Sequence, residues 1–336
     1  MRIELKPLRE QVMVITGASS GIGLATARMA ASQGCRVVLA ARSVHVLKAV
    51  QNQIRAAGSE AVAVEADVSR PEDVRRIAQV ALERFGQIDT WVNNAGLSIF
   101  GRLDEVKNED HRRLFEVNFW GVVYGSLTAA EQLRSRGGAI INLGSVLSEV
   151  AVPLQGMYAA SKHAVKGFTD ALRLELEEAG APISVTLIKP ASINTPFPQH
   201  ARNYLAQEPR LPDPVYPPKE VALAILKAAQ QPWRDIRVGG SSPVMSAMAH
   251  WTPRLMDWMN ETFMTRQQMR REPARHARGS LYHSDAAGQI EGSHPGRVMN
   301  RSLYTRAITH GVARGAVIAS VGVAAAALLG SMRSRK

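Results

Sequence analysis

Short apolar runs recur through the first 240 residues, and between them apolar positions return every three or four residues. Residues 11–16, 35–40, 61–66, 88–92, 139–144, 183–188 and 235–238 are such runs, rich in Val, Ile and Leu, and they predict buried strands. The stretches 24–33, 71–85, 109–134, 158–179 and 219–231 predict helices, the second opening on Pro71, which suits a first turn. Strands alternating with helices predict an α/β fold with a parallel sheet covered on both faces.

Beyond residue 240 the alternation stops. Thr252 is placed to cap a helix with Pro253 at its first position. Leu255, Met256, Met259 and Phe263 then repeat at helical spacing beside Trp251 and Trp258. Such a stripe packs on its own domain or a partner subunit, or meets a membrane surface. A basic run follows over 266–278, then a polar stretch over 279–300 that predicts a poorly structured linker. Residues 315–332 carry no charge, and 18 residues make a helix of about 27 Å, close to the apolar core of a bilayer. Gly311/Gly315 and Gly322/Ala326 have the small-residue spacing of helix–helix contacts, and positive charge flanks both ends, so no orientation follows. The chain therefore divides into a catalytic domain (1–240), an amphipathic helical extension (241–278), a linker (279–300) and a basic, apolar C-terminal helix (301–336) that is a candidate membrane anchor.

Charge sharpens that division. Residues 1–240 hold 28 Lys/Arg against 24 Asp/Glu, whereas residues 241–336 hold 13 against 5, so most of the net +12 sits in the tail. A basic tail suits anionic lipid or another acidic surface. No stacking aromatics interleave with its arginines, which argues against nucleic acid. The one cysteine, Cys35, excludes an internal disulfide and opens an apolar run, so a buried structural thiol is expected. No Cys/His cluster has ligand spacing, and no metal is expected. Charges at Arg2, Glu4 and Lys6 break any signal-peptide core, placing the catalytic part in the cytoplasm, with the C-terminal helix as its candidate link to a membrane.

Candidate chemistry begins at the turn Gly17-Ala18-Ser19-Ser20-Gly21-Ile22-Gly23, between the first predicted strand and an Ala-rich helix. Glycines let the backbone approach a pyrophosphate, and the helix N-terminus supplies amide donors and a positive dipole end. The second strand ends without the carboxylate that usually holds a ribose 2′-hydroxyl, and Arg42 follows it instead. A guanidinium suits a 2′-phosphate, so NADP(H) is expected over NAD(H). Tyr158 and Lys162 stand one helical turn apart. A free phenol titrates near pH 10, and a neighbouring ammonium would pull that value down toward neutrality, giving a proton donor or acceptor for an alcohol or carbonyl oxygen. The pair alone is equally a solvated helix face. Residues 196–218, with Phe197, Tyr204, Leu205, Leu211 and Tyr216, form a proline-rich loop that is either a lid for a hydrophobic substrate or an ordered loop without selectivity.

Thr16 to Gly23, Asp67-Val68, Asn93-Asn94-Ala95-Gly96, Asn118, Ser145 and Tyr158-x-x-x-Lys162 together, in that order, resemble the short-chain dehydrogenase/reductases over roughly residues 8–240. The resemblance implies a Rossmann-like, doubly wound, seven-stranded parallel sheet and a nicotinamide cofactor. It also implies a catalytic set in which Tyr158 is the general acid/base and Lys162 tunes it and holds the nicotinamide ribose. Ser145 would bond the substrate oxygen, and Asn118 would hold a water that links Lys162 to solvent. Gly17, Ser19, Ser20, Gly21, Ile22 and Gly23 would cradle the phosphates, Arg42 the 2′-phosphate, and Asp67 and Val68 the adenine. Asn94, Ala95, Gly96, Pro190 and Thr195 would line the cofactor. The implied activity interconverts a secondary alcohol and a ketone or aldehyde on a hydrophobic small molecule. The rival is a non-catalytic NADP-binding regulator or scaffold at a membrane, which has no need of the four catalytic residues. A homodimer or homotetramer through the helices at 109–134 and 158–179 is implied too. One departure stands out: the family usually reads Pro-Gly where this chain has Pro190-Ala191, which matters only if φ there is positive.

Overall fold

The structure, a computed structural model, describes residues 3–309 apart from 276 and 285–287. Seven strands form one sheet: β1 (Val12–Thr16), β2 (Arg36–Ala41), β3 (Ala61–Glu65), β4 (Thr90–Asn93), β5 (Gly138–Leu143), β6 (Ile183–Pro190) and β7 (Asp235–Val238). Their spatial order is β7-β6-β5-β4-β1-β2-β3, parallel throughout. The order reverses between β1 and β4, which opens a crevice at the carboxyl ends of those strands.

Burial on both faces explains why the strands read as unbroken apolar runs. Met13 and Ile15 face one core with Leu24 of α1 (Gly21–Ser32), Leu47 of α2 (Val44–Ala56) and Ile225 of α7 (Pro218–Ala228). Val12 and Val14 face the other with Ile77 of α3 (Pro71–Phe85), Leu114 of α4 (Asn108–Phe115), Leu133 of α5 (Gly121–Leu133) and Leu172 of α6 (Gly156–Glu178). Between β4, β5 and the helices above them lies a buried polar knot. Asn93 Nδ2 donates to Asn142 Oδ1 (2.8 Å) and Ser126 Oγ (3.0 Å), and Asn142 Nδ2 donates to Thr169 Oγ1 (3.0 Å). Gly125 makes room for it, since a Cβ there would stand 2.0 Å from Asn93 Oδ1. Cys35 is buried as expected, and burial pushes its thiol up to about 12.

The helix predicted over 109–134 is interrupted. A wide π-type turn, Glu116–Trp120, separates α4 from α5 and carries Asn118 inward. The extension folds back on the body as α8 (Ser241–Trp251) and α9 (Pro253–Met259), followed by a strand, Met269–Pro273, antiparallel to Gln207–Pro209 of the proline-rich loop. Thr252 precedes α9, but its hydroxyl donates to the Met248 carbonyl rather than capping. Of the apolar stripe only Met256 is buried; Leu255, Met259 and Phe263 are exposed, as is Trp251 at 78%. The stretch expected as a linker has no regular helix or strand among its described residues, yet it lies against the body: Met299 N donates to Val215 O at 2.8 Å. A short helix, Leu303–Thr309, then meets α7 through Arg306 and the buried Glu220. The candidate anchor at 311–332 lies outside the described residues, among which no helix is long and apolar enough to cross a membrane.

Candidate active site

The turn after β1 is shaped by close backbone approach. Gly17 adopts φ +67°, and a Cβ on Gly23 would stand 2.2 Å from the Gly17 carbonyl, so neither position accepts a side chain without movement. The loop after β4 holds this turn in place. Asn94 Nδ2 donates to the carbonyls of Thr16 (2.9 Å) and Gly17 (3.2 Å), while Thr16 Oγ1 accepts from the amides of Asn94 and Ala95. Helix α1 starts at Gly21 with no side chain capping it. The glycine turn and the helix N-terminus fit the diphosphate of a dinucleotide, and the Gly21 amide is held here by the Gln289 carbonyl at 2.9 Å.

One cleft of about 300 Å3 runs from Arg42 past this turn to the far side of Tyr158. Gly17, Ser19, Ser20, Gly21, Ile22, Arg42, Asp67, Val68, Asn94, Ala95, Gly96, Ser145, Tyr158, Lys162, Pro190 and Thr195 all line it. Gly23 lies behind the turn instead, against Gly17 and Asn94. Asn118 is buried beneath the cleft. The departure at Ala191 is harmless, because the one non-glycine residue with positive φ among those described is Leu154.

Helix α6 presents Tyr158 and Lys162 on one face, and both meet the end of β5. The Ser145 hydroxyl stands beside the Tyr158 phenol and favours its ionised form, and the tyrosine ring packs edge-on against Phe197 with centroids 5.5 Å apart. Lys162 Nζ lies 5.7 Å from the centre of the tyrosine ring and donates to the Leu143 carbonyl at 2.7 Å. The expected drop in the phenol's pKa is not what this arrangement produces. Burial pushes Tyr158 up to about 12, only partly offset by Ser145, and the same burial pulls Lys162 down to about 8. The ammonium is turned to a carbonyl, and among the described residues no carboxylate pairs with it to favour its charge.

Three further groups have protein partners of their own. Asn118 uses its amide to clasp the Leu97 backbone, accepting from the amide (2.8 Å) and donating to the carbonyl (2.9 Å), and reaches Ser161 Oγ on α6. It thus ties the loop after β4 to the helix that carries Tyr158. The Asp67 carboxylate holds Arg113 (2.5 Å) and Ser69. Burial opposes its ionisation, but Arg113 and Ser69 more than offset that and hold it below its ordinary value. Arg42 donates to the carbonyls of Ser280 (2.5 Å), Leu281 and His283.

The far end of the cleft was only partly legible in the sequence. Leu147, Val152, Phe197, Met245 and Met264 line it, together with Gln155 and Gln268. Gln155 Nε2 donates to Gln268 Oε1 at 2.6 Å, so the extension supplies part of this wall. Phe197 belongs to the proline-rich loop already singled out, and Gln155 stands one turn before Tyr158, but where residues 245–268 return depends on the finished fold. The loop beyond Ser145 is pinned from behind by Glu149, bound to the buried Lys189 (2.6 Å) and to Arg237. Burial opposes ionisation of Glu149, but those two cations and Ser246 hold its carboxyl at about 2.

Comparison with known proteins agrees with this geometry. The short chain dehydrogenase family pattern matches residues 11–205. An uncharacterized oxidoreductase of Bacillus subtilis, YxnA, is 42% identical over 330 residues, covering 97% of this chain and 93% of its own. The 11-beta-hydroxysteroid dehydrogenase A of Sesamum indicum is 35% identical over 266 residues, 74% of each chain. Among solved structures, a short-chain dehydrogenase/reductase from Burkholderia phymatum in complex with NAD superposes with a TM-score of 0.67 at 29% identity, covering 76% of this chain and 96% of that one. An alcohol dehydrogenase from the archaeon Thermococcus sibiricus complexed with 5-hydroxy-NADP gives 0.60 at 29% identity, covering 68% and 95%. With the glycine cradle, the sheet order and the Ser145–Tyr158 contact all in place, the chain belongs to the short-chain dehydrogenase/reductase family, oxidoreductases of alcohol and carbonyl groups that use a nicotinamide nucleotide.

Proposed function

We propose that this protein is an NADP(H)-dependent reductase and dehydrogenase that interconverts a ketone or aldehyde and an alcohol on a hydrophobic small molecule. The observation that carries the reading is the Tyr158 phenol, beside Ser145 in the cleft and set between the glycine cradle and an apolar far wall. When bound, the nicotinamide supplies or accepts the hydride. The chain does the rest. Ser145 and Tyr158 orient the substrate oxygen, and Tyr158 donates a proton to it in reduction or takes one in oxidation. A phenol held at about 12 is protonated at neutral pH, which is the form that carbonyl reduction needs. Lys162 and Asn118 hold the tyrosine's helix against the loops after β4 and β5. Leu147, Val152, Met245 and Met264 favour an apolar substrate body.

The choice of NADP(H) rests on Arg42 and on the lack of a carboxylate at the end of β2. A panel of ketones, aldehydes and secondary alcohols, followed by nucleotide absorbance, tests the activity. Run with both nucleotides, it is expected to show at least a tenfold higher kcat/KM with NADPH. In Arg42→Ala that preference should fall by about 1–2 kcal/mol, the worth of a charge-assisted contact. An NADH preference in the wild-type protein would overturn the cofactor assignment.

We also propose a homo-oligomer. Leu127 on α5 and Leu174 on α6 are 52% and 62% exposed, and the neighbouring Trp120 is exposed as well, an apolar face that a second copy would cover. Light scattering should give at least twice the chain mass, and Leu127→Glu with Leu174→Glu should lower it. A monomeric wild-type protein would rule this out.

A further inference from the structure

The described residues of 279–300 form no regular helix or strand, yet they touch the body at three places along the nucleotide cleft. At the Arg42 end, Arg42 donates to the Ser280, Leu281 and His283 carbonyls, and Arg113 Nε donates to the Leu281 carbonyl at 3.2 Å. The Ser43 and Ser284 hydroxyls touch, and the Leu281 side chain is sunk in the core with Leu114 and Val117. At the phosphate turn, the Gly21 amide, first in α1, donates to the Gln289 carbonyl at 2.9 Å. Past Pro190, the Gly292 amide donates to the Asn194 carbonyl at 3.2 Å. A Cβ on Gly292 would stand 2.2 Å from the Thr195 carbonyl, so only glycine lies this close. Ser280 and Ser284 line the same cleft as Gly17, Asp67 and Tyr158.

We infer that residues 279–284 and 288–293 complete the nucleotide site as its outer wall and govern how fast nucleotide enters and leaves. The inference rests on the reading that the cleft holds a nicotinamide dinucleotide. Its physical basis is shared donors. The Gly21 amide and the Arg42 guanidinium are what an anionic nucleotide would seek, and in this structure carbonyls of the wall take them. A dinucleotide that is to reach these donors must displace the Gln289 and Ser280 carbonyls from them. Passing in or out then means breaking the Gly21–Gln289 and Arg42–Ser280 bonds and withdrawing Leu281 from the core. The wall's own carbonyls are no substitute for phosphate, so the segment acts on exchange rather than on chemistry.

The full-length protein carrying Ser43→Cys and Ser284→Cys tests this, because the two side chains touch and the native Cys35 is buried elsewhere. Diamide takes two electrons from the thiols, which lose their protons and form the S–S bond, and dithiothreitol reverses it. Uptake and release of NADPH are read by stopped-flow nucleotide fluorescence, independent of turnover. Cross-linking should slow both at least tenfold relative to the reduced form, with recovery on reduction. Gly292→Ala, checked for folding by circular dichroism, should speed release at least tenfold, because the wall can no longer seat on Thr195. Equal exchange rates in the oxidised and reduced forms, with the bond confirmed by mass, would overturn the inference. So would failure of the two thiols to join, since the contact itself would then be absent. Loss of all NADPH and NADH binding in the wild-type protein is a separate result that removes the nucleotide reading as well.

Discussion

Tyr158→Phe should lower kcat by about a thousandfold or more and leave NADPH affinity within about twofold of the wild type. General acid–base groups are typically worth 10²–10⁴-fold, and this site holds a single phenol against Ser145. Phenylalanine keeps the ring, so the edge contact with Phe197 and the position of Lys162 over the ring survive. What goes is one hydroxyl and its proton, beside Ser145. The loss should therefore fall on kcat and kcat/KM together, as for an interaction made mainly in the transition state. Ser145→Ala should cost less, since the phenol remains to deliver the proton. Steady-state kinetics on the best carbonyl of the panel, with fluorescence titration of NADPH, separates chemistry from binding. Turnover retained in Tyr158→Phe would remove the proposed role.

Where local chemistry determines structure, the sequence was readable. Apolar runs buried on both faces became strands within a residue or two of their expected bounds, and helix α3 and strand β7 matched theirs. The four-residue spacing placed Tyr158 and Lys162 on one face of α6, because helix geometry alone requires it. Failures began where the outcome depends on what arrives from elsewhere. Nothing in Glu116–Trp120 announces a π-type turn; it forms around Asn118, whose amide is claimed by the Leu97 backbone from a different loop. The carbonyls that Arg42 meets lie about 240 positions away along the chain, beyond the reach of any local pattern. The stretch after Arg278 looks like a linker because it is polar and aperiodic, and periodicity cannot report a segment held by individual backbone bonds. The pKa of Tyr158 failed for a related reason. The cation was rightly placed nearby, but the depth of the site, which sets the desolvation cost, is a property of the whole fold.

That desolvation gives Lys162 a signature of its own. Lys162→Met should lower turnover on the order of a hundredfold and weaken nucleotide binding, and the nucleotide-free protein should be no less stable at pH 7 for losing it. In the wild type, burial holds the amine at about 8, against 10.5 in the unfolded chain. Below about pH 8 the folded protein carries a charge it would rather not bury, at a cost of roughly 3 kcal/mol. Removing the amine relieves that cost but leaves the Leu143 carbonyl without its 2.7 Å donor, a loss of about 1–3 kcal/mol. The two nearly cancel or favour the variant. The sign with pH is the sharper test. Between about pH 8 and 10.5 the unfolded chain binds more protons at this lysine than the folded one, so its contribution makes the wild type more stable as pH rises. Cys35 and Tyr158 act the other way, because their folded values of about 12 lie above the unfolded ones, but they are present in both proteins. The wild-type curve minus the Lys162→Met curve isolates the lysine. Measured by chemical denaturation from pH 7 to 10, that difference should climb by about 2–3 kcal/mol in favour of the wild type. A flat difference would mean that the amine is not buried in the way that brings it beside the tyrosine.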